Sequence, residues 1–248
     1  MAPACVAMLT VAFTGQPDAG FATAVQGAVG SSIEERQGRA AISGIVRFQG
    51  TPPPGEQVDF GTETYCAEQH SAPLLESAVA VGLDGGLRNV VVYLREAPVV
   101  QGGPPDEAVR LDQVGCVYTP RVVALRAGQT LLIRNSDATL HNVHVRAQKN
   151  REFNIGQPIR GITSRRVFEQ SEVGIHVSCD VHGWMKGAIA IFDHPWFAVS
   201  DENGSFAIED VPPGEYILEA WHESLGVRQQ QVTVRATGDA DVSFTFGS

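Results

Sequence analysis

Cys179, His182 and Met185 fall within seven residues, in Ser178-Cys-Asp-Val-His-Gly-Trp-Met185. A thiolate, an imidazole and a thioether that close together can turn onto one metal ion. Thiolate and thioether are soft donors that suit Cu(I), and imidazole suits both Cu(I) and Cu(II). With a second imidazole the set becomes that of a mononuclear copper site, two His and one Cys in a plane with a weak, long axial Met. Protein would then fill every coordination position. That leaves no place for substrate, and the chemistry implied is the exchange of single electrons by a chain that is not an enzyme.

The second imidazole must come from another element. His141-Asn-Val-His-Val145 and Gly174-Ile-His-Val-Ser-Cys179 both read as strands. Alternate residues of a strand share a face, so Cys179 lies with Ile175 and Val177, and His141 with Val143 and Val145. Each sits on an apolar face at the end of its strand. Two core-facing strands therefore deliver His141 and Cys179 to one rim, and the short Cys–Met loop folds His182 and Met185 over it. His144 falls on the face opposite His141 and is set aside. A single free Cys is more often just buried; four donors arriving together outweigh that plain reading. His70, His176, His194 and His222 have no such company and read as structural or exposed.

The rest of the chain supplies the scaffold. Ala41–Phe48, Leu87–Leu94, two strands around Ala127-Gly128, Ser164–Phe168 and Gly187–Phe192 read as strands, and no long apolar helical stripe occurs. Residues 56–78 read as irregular and 146–164 as a long basic loop. Short strands at this spacing predict an all-β sandwich or barrel. From His194 a second all-β unit begins, marked by turns at Asp201-Glu-Asn-Gly204 and Asp210-Val-Pro-Pro-Gly214. At about 50 residues it is near the lower limit for folding alone, so it is expected to pack on the first unit.

The motif Gly128-Gln-Thr…Ile133-Arg-Asn-Ser-Asp…His141-Asn-Val-His144, followed by Cys179-x-x-His182-x-x-Met185, resembles the cupredoxins, with the loop spacing of the amicyanins. The layout is similar to the plastocyanin-like proteins labelled methylamine utilization proteins. The resemblance covers residues 85–192. It implies a Greek-key β-sandwich with one type 1 copper ion held by His141, Cys179, His182 and Met185. It also implies that Asn142 braces the Cys loop from behind. Gly183 stands where the amicyanin pattern has Pro, and Trp184 is unusual there. The C-terminal unit resembles a carboxypeptidase regulatory-like, transthyretin-like sandwich, a non-catalytic addition. The expected organisation is a signal peptide at 1–27, a cupredoxin domain with an N-terminal β extension at 40–193, and the small sandwich at 194–248.

Composition sets the outer limits. The net charge of −10 argues against nucleic acid as a partner. Six bases (Arg146, Lys149, Arg151, Arg160, Arg165, Arg166) against one acid in 146–166 read either as a docking loop for an acidic partner or as a solvated loop. The apolar run Ala4–Phe13 followed by small residues resembles a secretory signal without its basic start, which points to a periplasmic or otherwise exported protein. That run is too short to span a bilayer. Beyond Cys5, Cys66, Cys116 and Cys179 remain; Cys66 and Cys116 are the pair available for a disulfide in an oxidising compartment, leaving Cys179 unpaired.

The function implied is that of a periplasmic electron carrier whose partner is a redox protein such as a c-type cytochrome or a dehydrogenase. Two alternatives stay open: copper storage, delivery or sensing, and a structural or interaction protein with an unused metal site. Catalysis of the multicopper oxidase or nitrite reductase kind needs further His ligands, and no His-x-His pair is present.

Overall fold

A computed structural model describes residues 40–247. The expected signal segment, residues 1–27, and Cys5 lie outside the described residues. The described chain opens with β1 (Ala40–Gln49). Two-residue strands β2 (Glu56–Gln57) and β3 (Leu75–Glu76) flank a short helix α1 (Thr64–Glu68) and lead to β4 (Val91–Leu94). Then come β5 (Val109–Gln113), β6 (Tyr118–Thr119), β7 (Val122–Arg126), β8 (Thr130–Asn135) and β9 (His141–Arg146). They are followed by β10 (Phe153–Gln157), β11 (Thr163–Val167), β12 (Glu172–Ser178) and β13 (Lys186–Phe192). The last strands are β14 (Phe197–Val199), β15 (Ser205–Val211), β16 (Gly214–His222), β17 (Gly226–Val234), β18 (Ala240–Asp241) and β19 (Phe244–Gly247).

The described fold is all-β apart from α1, in two sandwiches. The first pairs a five-stranded sheet, order β10-β9-β12-β13-β7, with a four-stranded sheet, order β11-β8-β5-β6. Between them Leu111, Leu125, Leu131, Ile133, Val143, Val145, Ile175, Val177 and Ile189 form an apolar core. These are the alternate residues of each strand, as a half-buried strand requires. The second sandwich pairs the sheet β14-β4-β16-β17 with the sheet β15-β1-β18, to which β19 adds beside β1. Its core holds Ile42, Val46, Val92, Leu94, Phe206, Ile208, Leu218, Phe244 and Phe246.

The strand pairings divide the chain differently from the expected boundary at 193/194. β1 pairs with β15, β18 and β19, and β4 pairs with β14 and β16. The segment assigned to an N-terminal extension of the cupredoxin domain therefore belongs to the C-terminal sandwich. The reason is physical: β14–β19 alone cannot cover both faces of a core, and β1 and β4 supply the missing strands. The first sandwich, β5 to β13, is an insertion between β4 and β14.

The two sandwiches form parts of one compact unit. Val91, Val122, Ala188, Ala190 and Phe192 bury a third apolar cluster between them, joined by Tyr93, Phe197 and Trp221. A fully buried Val or Phe contributes about 1.5–3 kcal/mol, so this seam is a real join. At Gly174, with φ of 82°, a Cβ would meet the Trp221 ring at 3.0 Å. Trp221 thus faces the first sandwich, and buried His222 faces the interior of the second, near Phe246. Local reading also set the strand at 87–94 too early: Asn89 takes φ of 65°, which breaks the extended run. The basic stretch 146–164 is not all loop, because it contains β10, paired in register with β9.

Candidate metal centre

The site is built at the end of the first sandwich where β9 begins and β12 ends. Asn135 shapes the approach: its side-chain amide donates to Thr139 O and Gln157 O, and its Oδ1 accepts the Asp137 N–H at 2.9 Å. This turn feeds the chain into β9 with His141 as its first residue, in register with Gln157 of β10. Strand β12 runs antiparallel to β9 and places Cys179 beside that start. The Cys179 N–H donates to Met185 O at 3.1 Å and the Met185 N–H to His182 O at 2.9 Å, closing the loop tightly.

The donor atoms of His141, Cys179 and His182 lie within 4.8 Å of one another, all buried. The Nδ1 atoms of His141 and His182 are 2.9 Å apart, and Cys179 Sγ is 3.9 Å from His182 Nδ1. Met185, 1 % exposed, is buried in the same apolar cluster as Cys179. His144 points away, its Nδ1 on Asp180 at 3.0 Å. A second grouping of Cys116, Asp137 and His141 is also close, but Cys116 is committed to a disulfide with Cys66, with Cα atoms 5.6 Å apart. Cys179 is the free thiol among the described residues.

Asn142 ties the Cys loop down. Its Oδ1 accepts the Asp180 N–H at 2.7 Å and the Val181 N–H at 3.3 Å, and lies 3.2 Å from Cys179 Sγ. Its Nδ2 donates to Asn154 Oδ1 and Asp180 Oδ2. The His182 N–H in turn points at Cys179 Sγ at 3.4 Å.

Behind the rings lie residues that strand parity did not find. His141 Nε2 is 2.9 Å from Asp137 Oδ2, and this carboxylate also accepts the Gly115 and Cys116 N–H groups at 2.8 Å each. His182 Nε2 is 3.5 Å from Glu63 Oε2 and 3.9 Å from Cys66 Sγ. The segment 56–78, read as irregular, thus forms a roof over His182, pinned by the disulfide. Trp184 closes the side: its ring is 5.0 Å from that of His182, and its Nε1–H donates to Cys116 O at 3.0 Å. An Asp four residues before His141 was the available signal for one of these contacts; Glu63 had none.

The charges follow from this wall. Burial opposes ionisation of Asp137, but hydrogen bonds from His141, Cys116 and Gly115 hold its carboxyl below the usual carboxylate range. Burial pushes the Cys179 thiol up, and His141 with the surrounding hydrogen bonds outweighs it, leaving the thiol below its ordinary value. His141 is raised: burial works against its charge, but Asp137 and Cys179 on either side prevail. His182 is lowered, by burial first and then by the charge on His141, against a pull from Glu63.

The donors fit one ion. With metal–nitrogen bonds of about 2.0 Å and a metal–thiolate bond of about 2.3 Å, two nitrogens can stand up to about 4.0 Å apart, and a nitrogen and a sulfur up to about 4.3 Å. The observed 2.9 Å and 3.9 Å lie inside both limits. Two imidazoles with a thiolate form a donor set that copper accepts in both oxidation states.

Comparison with known proteins adds the following. A family described as "Polysaccharide lyase family 4, domain II" matches residues 195–242. The carboxypeptidase regulatory-like resemblance expected for 194–248 is not what that match returns. No curated protein matches the chain. Among solved structures the chain is similar to a Cu-containing nitrite reductase from Thermus scotoductus SA-01, with 21 % identity and a TM-score of 0.34 over 40 % of this chain and 26 % of that one. It is also similar to a purple cupredoxin from Nitrosopumilus maritimus, with 21 % identity and a TM-score of 0.29 over 34 % and 98 % of the two chains. For a point mutant of amicyanin in its Cu(I) form the values are 19 % and 0.31 over 40 % and 97 %.

Proposed function

We propose that the chain binds one copper ion, which His141, Cys179 and His182 would hold with Met185 as a further donor, and carries single electrons for a redox partner outside the cytoplasm. The observation that carries this reading is the convergence of two imidazole Nδ1 atoms and one free thiol within 4.8 Å, in a buried pocket. Copper bound there would supply a one-electron Cu(II)/Cu(I) couple. The chain's own part is to hold the donors still: Asn142 fixes the Cys179 loop, Asp137 fixes His141, and the disulfide-pinned roof fixes the surroundings of His182. A rigid cage keeps the rearrangement between oxidation states small.

The roof also bears on copper delivery. Handing an ion to an acceptor needs an open side from which ligands can exchange, and both imidazoles are fully buried. Electron exchange needs only a short distance to the surface, and half-buried Trp184 against His182 offers it. No described helix is long and apolar enough to cross a membrane. The test is reconstitution with one equivalent of Cu(II). An intense visible thiolate-to-copper band that disappears in Cys179→Ser supports the reading; no binding at one equivalent, or a band that survives the substitution, ends it.

A further inference from the structure

Both candidate ligand rings have the same construction. Each turns Nδ1 toward the other ring and Nε2 toward a carboxylate, His141 on Asp137 and His182 on Glu63. A backbone carbonyl would be enough to fix a tautomer; a carboxylate adds a full negative charge. Burying one is costly unless it is well bonded. Asp137, 2 % exposed, is bonded through both oxygens to N–H groups of Gly115 and Cys116 as well as to His141. Its position is therefore built, not incidental.

We propose, resting on the copper reading above, that Asp137 and Glu63 are positioning residues that bias the centre toward Cu(II). Asp137 accepts the His141 Nε2–H, and the Glu63 carboxylate stands 3.5 Å from His182 Nε2; both orientations leave Nδ1 for the ion and raise the basicity of the ring. Each also places negative charge behind its ring, and the Cu(II) state, with one more positive charge than Cu(I), gains more from it. The two do not contribute equally. Asp137 is sealed from water, whereas the Glu63 side chain is 41 % exposed, so solvent and salt screen Glu63 more strongly.

The experiment compares the copper-loaded wild type with Asp137→Asn and Glu63→Gln by spectroelectrochemistry at low and high salt, together with 15N NMR of the His141 ring in the metal-free proteins. Both substitutions are expected to raise the midpoint potential, Asp137→Asn the more, with the Glu63→Gln shift shrinking at high salt. In metal-free wild type and Glu63→Gln, His141 Nε2 is expected to be protonated. Unchanged or lowered potentials, or a bare Nε2 on His141, would overturn the proposal. If the wild type takes up no copper, the copper reading fails and the NMR measurement still decides whether Asp137 holds the ring. If Asp137→Asn does not fold, the low-salt potential of Glu63→Gln decides, and an unshifted value overturns the bias.

Discussion

His141 and His182 face each other Nδ1 to Nδ1 across 2.9 Å, and neither ring is exposed. Two bare nitrogen lone pairs at that separation repel, so the contact needs a proton on one Nδ1 or a metal ion between the two. Of the two rings, His141 is the one whose charged form is favoured, by Asp137 and Cys179 against the cost of burial.

On the copper reading, uptake displaces any proton that His141 carries on Nδ1. Because the His141 value is raised, competition sets in above the ordinary imidazole range near about 6.5. Apparent Cu(II) affinity should fall about tenfold per pH unit for one displaced proton as pH drops below the His141 titration, and flatten above it. Chelator-competition titrations across that range measure this slope. A flat profile would show that no His141 proton is displaced.

The disulfide closes a stretch with a sequence separation of 50. Removing it as Cys66→Ser with Cys116→Ser should cost about 2–4 kcal/mol of stability, read by denaturant unfolding. The same change unpins the roof. His182 in the metal-free variant should react with diethyl pyrocarbonate, whereas the wild-type ring should resist it.

Ending the chain at residue 193 leaves β1 and β4 without β15 and β16. Ile42, Val46, Val92 and Leu94 would then lose their cover. The truncated protein should bind a hydrophobic dye and aggregate on expression. A soluble, cooperatively unfolding 40–193 fragment would contradict the nested arrangement.

Glu172 accepts N–H groups from Gln148, Lys149 and Asn150 and the Asn150 side-chain amide. Burial raises its carboxyl, but these bonds outweigh that and lower it below the usual range. A carboxyl lowered in the fold adds stability above its unfolded value of about 4.3, and the gain is lost as pH falls through the folded value. Glu172→Gln should therefore cost about 1–3 kcal/mol at neutral pH. The difference from wild type should shrink in acid, as paired urea melts would record.

Strand parity was enough to bring His141 and Cys179 to one rim, because a period of two leaves only two faces to choose between. Asn142 and the Cys66–Cys116 pairing were also readable, one from the resemblance and one from counting thiols. The carboxylates behind the rings were not. Asp137 stood in the motif without a role of its own, and Glu63 reaches His182 across more than a hundred residues. Strand β10 was hidden by its Gly and polar neighbours, since its partner β9 and not its own pattern holds it extended. The nesting of one sandwich in the other was equally hidden, because the pairing of Val92 with Ala220 leaves no local trace. Gly183, noted for standing in place of Pro, has open space where a Cβ would sit.

The parallel pairing of β1 with β19, Val46 beside Phe244 and Phe48 beside Phe246, has a mechanical meaning. Tension entering from residues before 40 and leaving after 247 pulls these two neighbours in opposite directions along their length. The load falls on a ladder of hydrogen bonds stretched together, sideways to their axes, not opened one at a time. The end of the first sandwich that carries His141, Cys179 and His182, inserted between β4 and β14, lies off that line. Force on the chain is carried past it, and the spacing of His141, Cys179 and His182 stays undisturbed.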